Sequence, residues 1–341
     1  MARTKYNSQV TRLRFIPVFL LLVACRPVTP PALWPGSKFA ETDRASAIGR
    51  ALAFLYRAAS TPKFFAEFGH DFLLAFQTIA STSRDPDLRD AAREMGQERA
   101  KQWRLDHPHV PARASADDVA NLVVGAYAAD ALGQPDNAFK LELRTAAKRF
   151  TAVDFLSFDA ATEPPQGTKV RSRYDVWTDA LINSYFGDVY GIPLGAPYSD
   201  VVRWITVMRP YPAPSLDEKF DRFYAITHVV YTLNGYQLKR VSPALLAPEL
   251  EILRGSLKEA ITSHDPEVIG ECLDTLKAFG LDNNAEVHAG IEYLLSSQRL
   301  DGSWTGDKDD PYTAYHSAWT GIDGLRDYQW QGEVTQLPTH K

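Results

Sequence analysis

Apolar residues recur along this chain at three- and four-residue intervals almost from end to end, and no stretch shows a sustained apolar/polar alternation. Ile48, Leu52, Leu55 and Tyr56 form a stripe that predicts a helix over about 43–59. Phe64, Phe65, Phe68, Phe72 and Phe76 repeat the spacing in the next segment, which is aromatic enough to be well buried. Asp85-Pro86 reads as a helix start, because Asp85 can cap and Pro86 suits the first helical position, where no N–H is needed. The helix it opens is highly charged, so it is expected on the outside. Ser115 with Asp118 three residues on makes a capping-box-like start for a helix that runs to a stop at Gly133. A further helix ends near Phe150, and the stretch from Ser157 to Arg173 is the longest irregular one, of the kind that is often functional. Helices follow at about 175–190, 198–208, 217–237, 243–262, 266–279, 285–298 and 312–326. The predicted class is all-α, built from stacked helical hairpins.

Two echoes suggest internal duplication. Ser83-Arg84-Asp85-Pro86-Asp87 returns as Ser263-His264-Asp265-Pro266-Glu267, and Leu132-Gly133 to Ala138 returns as Phe279-Gly280 to Ala285. Part of the likeness is shared capping chemistry. Nothing in composition splits the chain, so residues 41–330 are read as a single domain, with 331–341 as a tail.

The first 24 residues fall outside that pattern. Arg3, Lys5, Arg12 and Arg14 form a basic segment, and Phe15 to Val23 is an apolar run too short to span a bilayer. It closes on Leu22-Val23-Ala24-Cys25, which resembles the bacterial lipobox. The resemblance implies cleavage before Cys25, lipidation of its thiol, and a membrane-anchored protein of the bacterial cell envelope. Arg26, rather than Asp, in second place implies the outer membrane, facing the periplasm, in a two-membrane cell. Residues 25–40 then read as a proline-rich tether. With Cys25 acylated, Cys272 is the other thiol and no intramolecular disulfide forms, so the fold rests on its core. A net charge of −5 without a basic stripe gives no reason to expect nucleic-acid binding.

The strongest motif lies near the C-terminus. Tyr293, Leu294, Gln298 and Gly302-Ser303-Trp304 resemble the repeat motif of the squalene–hopene and terpene cyclase superfamily, although Ala289 stands where a basic residue is usual. Tyr315-His316-Ser317-Ala318-Trp319, leading to Gly324-Leu325, is similar to the zinc-histidine segment of protein prenyltransferase β subunits. The shared fold is an α/α toroid, in which inner helices ring a central cavity and outer helices wrap them. In the motif Gln298 is expected to bond backbone at the start of the following helix while Trp304 packs over the turn. The resemblance covers about 40 residues and implies architecture rather than activity. The string Asp307-Lys308-Asp309-Asp310 matches the acid of class II cyclases in letters but not in place, and is read as a solvated or calcium-touching loop.

In a toroid, polar residues on inner helices face the cavity. Helical spacing groups Asp175, Asp179 and Asn183; Asp221, Tyr224, His228 and Tyr231; and His316, Thr320 and Asp323. His228, His316, Asp323 and Asp179 are therefore the candidate catalytic residues. Two metal sets are open. By resemblance to the prenyltransferases, His316 would be joined by Cys272 and Asp274, whose order and spacing depart from that pattern. Alternatively, His228 and His316 with a carboxylate would suit zinc or iron. No nucleophile elbow, phosphate loop or dinucleotide fingerprint occurs. The expected function is an envelope enzyme using His/carboxylate chemistry, with or without one divalent metal, on a lipid-like or envelope-derived small molecule. The alternatives are a glycan lyase or hydrolase using Asp179 and Asp323 as a carboxylate pair, and a non-catalytic binding or scaffold lipoprotein.

Overall fold

The structure, a computed structural model, describes residues 43–305 and 310–339. The leader, Cys25, the tether and residues 307–309 of the acidic string lie outside the described residues. The chain runs α1 (Asp43–Ala59), α2 (Pro62–Thr82), α3 (Pro86–Asp106), α4 (Ala116–Ala131), α5 (Asn137–Ala147), α6 (Ala152–Leu156), α7 (Arg173–Tyr190), α8 (Tyr198–Val202) and α9 (Ile205–Met208). It continues through α10 (Leu216–Asn234), α11 (Ala247–Ser263), α12 (Pro266–Ala278), α13 (Ala285–Ser297) and α14 (Pro311–Leu325). The all-α class is thus borne out. Among the described residues, the strands are the two-residue β1 (Arg240–Val241) and β2 (Glu333–Val334), paired in parallel.

Capping explains the boundaries. Asp85, Ser115, Asp136, Thr151, Ser172, Ser215, Asp265 and Asp310 each accept a backbone N–H of the first turn they precede. Ser115–Asp118 is a full capping box. The single helix expected over 198–208 is instead two short ones, and α6, of five residues, is too short to show a helical period.

Helices alternate between two environments. α2 touches α4, α4 touches α7, α7 touches α10, α10 touches α12, α12 touches α14, and α14 returns to α2. α3, α5, α11 and α13 pack against members of that series. α3 is on the outside, as its charge predicts. α12 is its opposite, since every residue from Val268 to Ala278 is buried. The Ser83 and Ser263 echoes therefore open unlike helices, and their likeness is capping chemistry. The Gly133 and Gly280 echo does mark equivalent places: the left-handed ends of α4 and α12, each followed by a helix packed against its predecessor.

Two close approaches set the geometry around α12. A methyl group on Gly270 would stand 2.6 Å from the backbone of Thr320, so α12 and α14 meet main chain against main chain. At the clasp, a methyl on Gly302 would come within 2.1 Å of the Arg50 carbonyl oxygen. Gln298 donates to the Ala47 carbonyl at 2.8 Å and accepts from Arg50, while Trp304 donates to Leu294 O and lies over Gly321. The turn thus grips α1, about 250 residues earlier, rather than the start of the next helix. Residues beyond α14 are also tied down. Gln329 N donates to Thr82 O, Gln331 N to Leu238 O, and Arg240 N to Gly332 O. The segment from 331, expected as a tail, begins as this stitched strand.

Candidate functional site

α12 carries Glu267 and Glu271 one turn apart, and the glycine contact brings α14 close enough for His316 to meet them. Each of the three offers one ligand atom, and these atoms lie within 4.8 Å of one another. His316 Nδ1 is 2.8 Å from Glu267 Oε1, and the Tyr224 hydroxyl from α10 donates to that same oxygen at 2.9 Å. The His316 and Glu267 side chains keep 14% and 13% exposure, whereas Glu271 is 2% exposed. Tyr312 stacks on the His316 ring at 5.0 Å and Trp319 stands edge-on at 5.9 Å. Among the described residues this is the His/Cys/Asp/Glu group compact enough to hold a metal ion.

Its electrostatics follow from placing two carboxylates in a low-dielectric wall. Burial opposes charge on His316, but Glu267 and Glu271 outweigh it and lift its pKa to about 9. Desolvation raises Glu271 to about 8, against the pull of His316 and with a further push from Glu267. Oε2 of Glu271 is buried without a hydrogen-bond partner. A buried carboxylate oxygen left unpaired is costly in a finished core, and it is what a missing cation would satisfy. The donor set, two carboxylates and an imidazole, suits a divalent transition metal.

His228 is adjacent but plays a different part. Its Nδ1 bonds the Tyr224 carbonyl at 2.8 Å, which leaves Nε2 as the free ring nitrogen of a neutral imidazole. Burial lowers its pKa to about 4, and the positive charge of His316 lowers it further. From α2, Asp71 accepts from the Tyr315 hydroxyl at 2.7 Å and acts on both histidines.

The other expected residues are dispersed. Asp274 lies one turn beyond Glu271, held by Gln237 Nε2 at 2.7 Å. Cys272 is fully buried on another face of α12, where desolvation pushes its thiol well up, and it stands outside the compact group. Asp323 is sequestered by Arg326 Nε at 2.6 Å, in a cluster where Lys277 Nζ reaches the carbonyl oxygens of Asp323, Gly324 and Arg326. Asp179 is ion-paired with Arg171. Desolvation, opposed by Arg171, raises its pKa, and 52% of its side chain meets solvent. Asp175 and Asp117 are the acids it feels, and Asp274 is the carboxylate beside Asp323. The structure does not bring Asp179 and Asp323 together as a catalytic pair.

Sequence reasoning found His316, His228 and Tyr224 but passed over Glu267, Glu271 and Asp71. The signal was there: Glu267 and Glu271 are four apart on an otherwise apolar helix. Glu267 had been read as the end of a capping echo. Two surface pockets lie elsewhere. One of 310 Å³ is lined by Arg44, Arg84 and Leu325 among others, and one of 460 Å³ by Arg144, Phe150 and Pro193 among others. Neither includes a residue of the compact group. Among the described residues no helix is long and apolar enough to cross a membrane. Comparisons with protein-family models, curated proteins and solved structures found no match.

Proposed function

We propose that the chain is an envelope enzyme: an α/α toroid, lipid-anchored through Cys25, that holds one zinc or iron ion on Glu267, Glu271 and His316. The observation that carries it is the convergence of three ligand atoms from two helices around a buried, unpartnered Glu271 oxygen. The order of helix contacts, returning from α14 to α2, supports the toroid. The Leu22 to Cys25 tetrad supports the anchor, and Arg26 after it supports the outer membrane in a two-membrane cell.

A metal held there would supply Lewis-acid polarisation of a substrate oxygen. The remaining chemistry belongs to the side chains. Glu267 orients His316 and takes the Tyr224 hydrogen bond, so its charge is fixed in direction. Glu271 is a neutral carboxylic acid near pH 7 in the metal-free chain, and binding a metal would take its carboxylate form and release that proton. His228, neutral with Nε2 free, is the base within the same wall. Tyr312 and Trp319 limit water around His316. The substrate is a lipid-like or envelope-derived small molecule.

Isothermal titration of the metal-free protein with Zn²⁺ and Fe²⁺ tests this. One equivalent should bind, and Glu271→Gln or His316→Ala should each weaken binding by about tenfold or more. Absence of binding, or binding indifferent to both substitutions, sinks the metal centre.

A further inference from the structure

One surface groove combines an apolar lining with positive charge. It measures 460 Å³ and lies where the end of α5, the start of α6 and the loop after α7 meet. Phe150 and Phe155, edge to face at 5.6 Å, line it together with Ala147, Ala152 and Pro193. Arg144 and Lys148, one turn apart on α5, are the charged residues of the lining, which contains no carboxylate. Leu141, three residues before Arg144 on the same helix face and 61% exposed, carries apolar surface past the groove.

Short contacts fix the opening. The Arg144 guanidinium donates to Gly191 O at 3.3 Å, which ties α5 to the loop. Arg149, next to Lys148, donates to the carbonyl oxygens of Ala112, Ala114 and Ala146. A methyl group on Gly187 would stand 3.0 Å from Ile192 O, and one on Gly195 would stand 2.7 Å from Leu156 Cγ. The loop is therefore pressed against both α7 and α6. Gly195, at φ 94°, also takes a backbone that other residues rarely adopt. The groove is thus set by packed backbone, and its volume falls within the roughly 300–1,000 Å³ usual for small-molecule sites.

Cations near a helix C-terminus are ordinary, because they complement the helix dipole. Two like charges one turn apart cost about 0.2–0.5 kcal/mol, and here they border apolar rings. An inorganic anion would use the cations and leave the rings in water. A neutral chain would use the rings and leave the cations idle. An amphiphile with one anionic end uses both. We propose that this groove binds an acyl carboxylate, its chain against Phe150 and Phe155 and its head group on Arg144 and Lys148. The site is separate from the Glu267/Glu271/His316 group, none of whose residues lines the groove.

Calorimetric titration of the full-length protein with decanoate, hexanoate and decanol tests this. One equivalent of decanoate should bind. Hexanoate should bind at least tenfold more weakly, because it buries fewer methylenes at about 0.8 kcal/mol each. Decanol, which lacks the charge, should bind at least fivefold more weakly. Lys148→Glu and Arg144→Gln should each weaken decanoate by about fivefold, and both positions are exposed, so unfolding temperatures should not move. Ala152→Leu fills the groove without altering charge and should weaken decanoate as well. Failure of decanoate to bind overturns the proposal, as does decanol binding equally well, or decanoate binding that ignores all three substitutions. Attachment to phosphatidylglycerol vesicles that Lys148→Glu abolishes, without decanoate binding, also overturns it and gives the surface to a membrane. Zn²⁺ binding by the Lys148→Glu chain should match the wild type, so this site and the metal centre stand or fall separately.

Discussion

The helix pair α12/α14 carries two buried charged clusters, two turns apart, and they are built to opposite rules. At the inner end, Asp274 and Asp323 face Lys277 and Arg326, so two acids meet two bases. Lys277 Nζ caps three carbonyl oxygens at the end of α14. Arg326 adds Thr82, Ser83 and the Tyr328 ring, 4.2 Å away, to its carboxylate. At the outer end, Glu267 and Glu271 face one histidine; each cluster holds a buried carboxylate oxygen without a hydrogen-bond partner, Glu271 Oε2 in this one and Asp274 Oδ1 in the other. The balanced cluster fastens the end of α14 to α2 and to the closing segment. The unbalanced one offers two carboxyl groups to one imidazole, so a divalent cation would enter it by displacing the Glu271 proton. Charge balance, rather than burial, separates the structural cluster from the chemical one.

The largest effect should come from unbalancing the first cluster. Arg326→Met removes the partner of Asp323 in a site where both side chains are almost wholly enclosed, and strands a buried carboxylate. The expected loss is roughly 3–5 kcal/mol, the usual cost of breaking a buried pair, read from urea unfolding. A loss below about 1 kcal/mol would make this cluster as dispensable as a surface ion pair and erase the contrast.

Removing acid excess from the second cluster should do the reverse. In the metal-free chain, Glu271 and His316 both have folded pKa values above their unfolded ones, at about 8 and about 9. Groups of that kind lend stability below their unfolded pKa and lose it as pH rises through the folded value. The metal-free protein should therefore lose about 2 kcal/mol or more between pH 7 and 9. Glu271→Gln, which mimics the protonated acid, should remove the part of that decline that ends near pH 8. Stability curves at pH 6, 7, 8 and 9 settle the sign, and a wild-type chain that gains stability across this range contradicts the assignment.

The contrast between the clusters also explains how much the sequence could disclose. Helix starts were legible because capping is local: Asp85, Ser115 and Asp265 act on N–H groups two or three residues away. The Gln298 to Trp304 turn was legible as a clasp, but its target was not, because Ala47 and Arg50 lie some 250 positions off. His316 stood out through the Tyr-His pair. Glu267 and Glu271 did not, since a carboxylate on a helix is ordinarily a solvated one, and only Gly270 against Thr320 reveals that this face is enclosed. Asp323 looked chemical for the mirror-image reason: its helical stripe was read correctly, while Arg326, three residues on, was already its partner. Cys272 drew attention as a thiol, and it stands outside the compact group.

His228 gives the finest test, because it belongs to the wall of the second cluster without sharing its excess charge. Desolvation holds it neutral with a pKa near 4, Tyr224 O and Thr227 lie at its Nδ1 side, and His316 and Asp71 act on it with opposite signs. A folded pKa below the unfolded one means that stability is full above about pH 6.5 and is lost as pH falls through about 4. Between pH 7 and 5.5 His228 should subtract about 1 kcal/mol, against the gain that Glu271 contributes over the same range, and this part should vanish in His228→Gln, so it is read as the difference between the two chains' curves. The two histidines should thus leave opposite marks on one stability curve, His228 on the acid side and His316 on the alkaline side. A His228→Gln chain whose curve from pH 7 to 5.5 runs parallel to the wild type's would take away the neutral imidazole on which the proposed base depends.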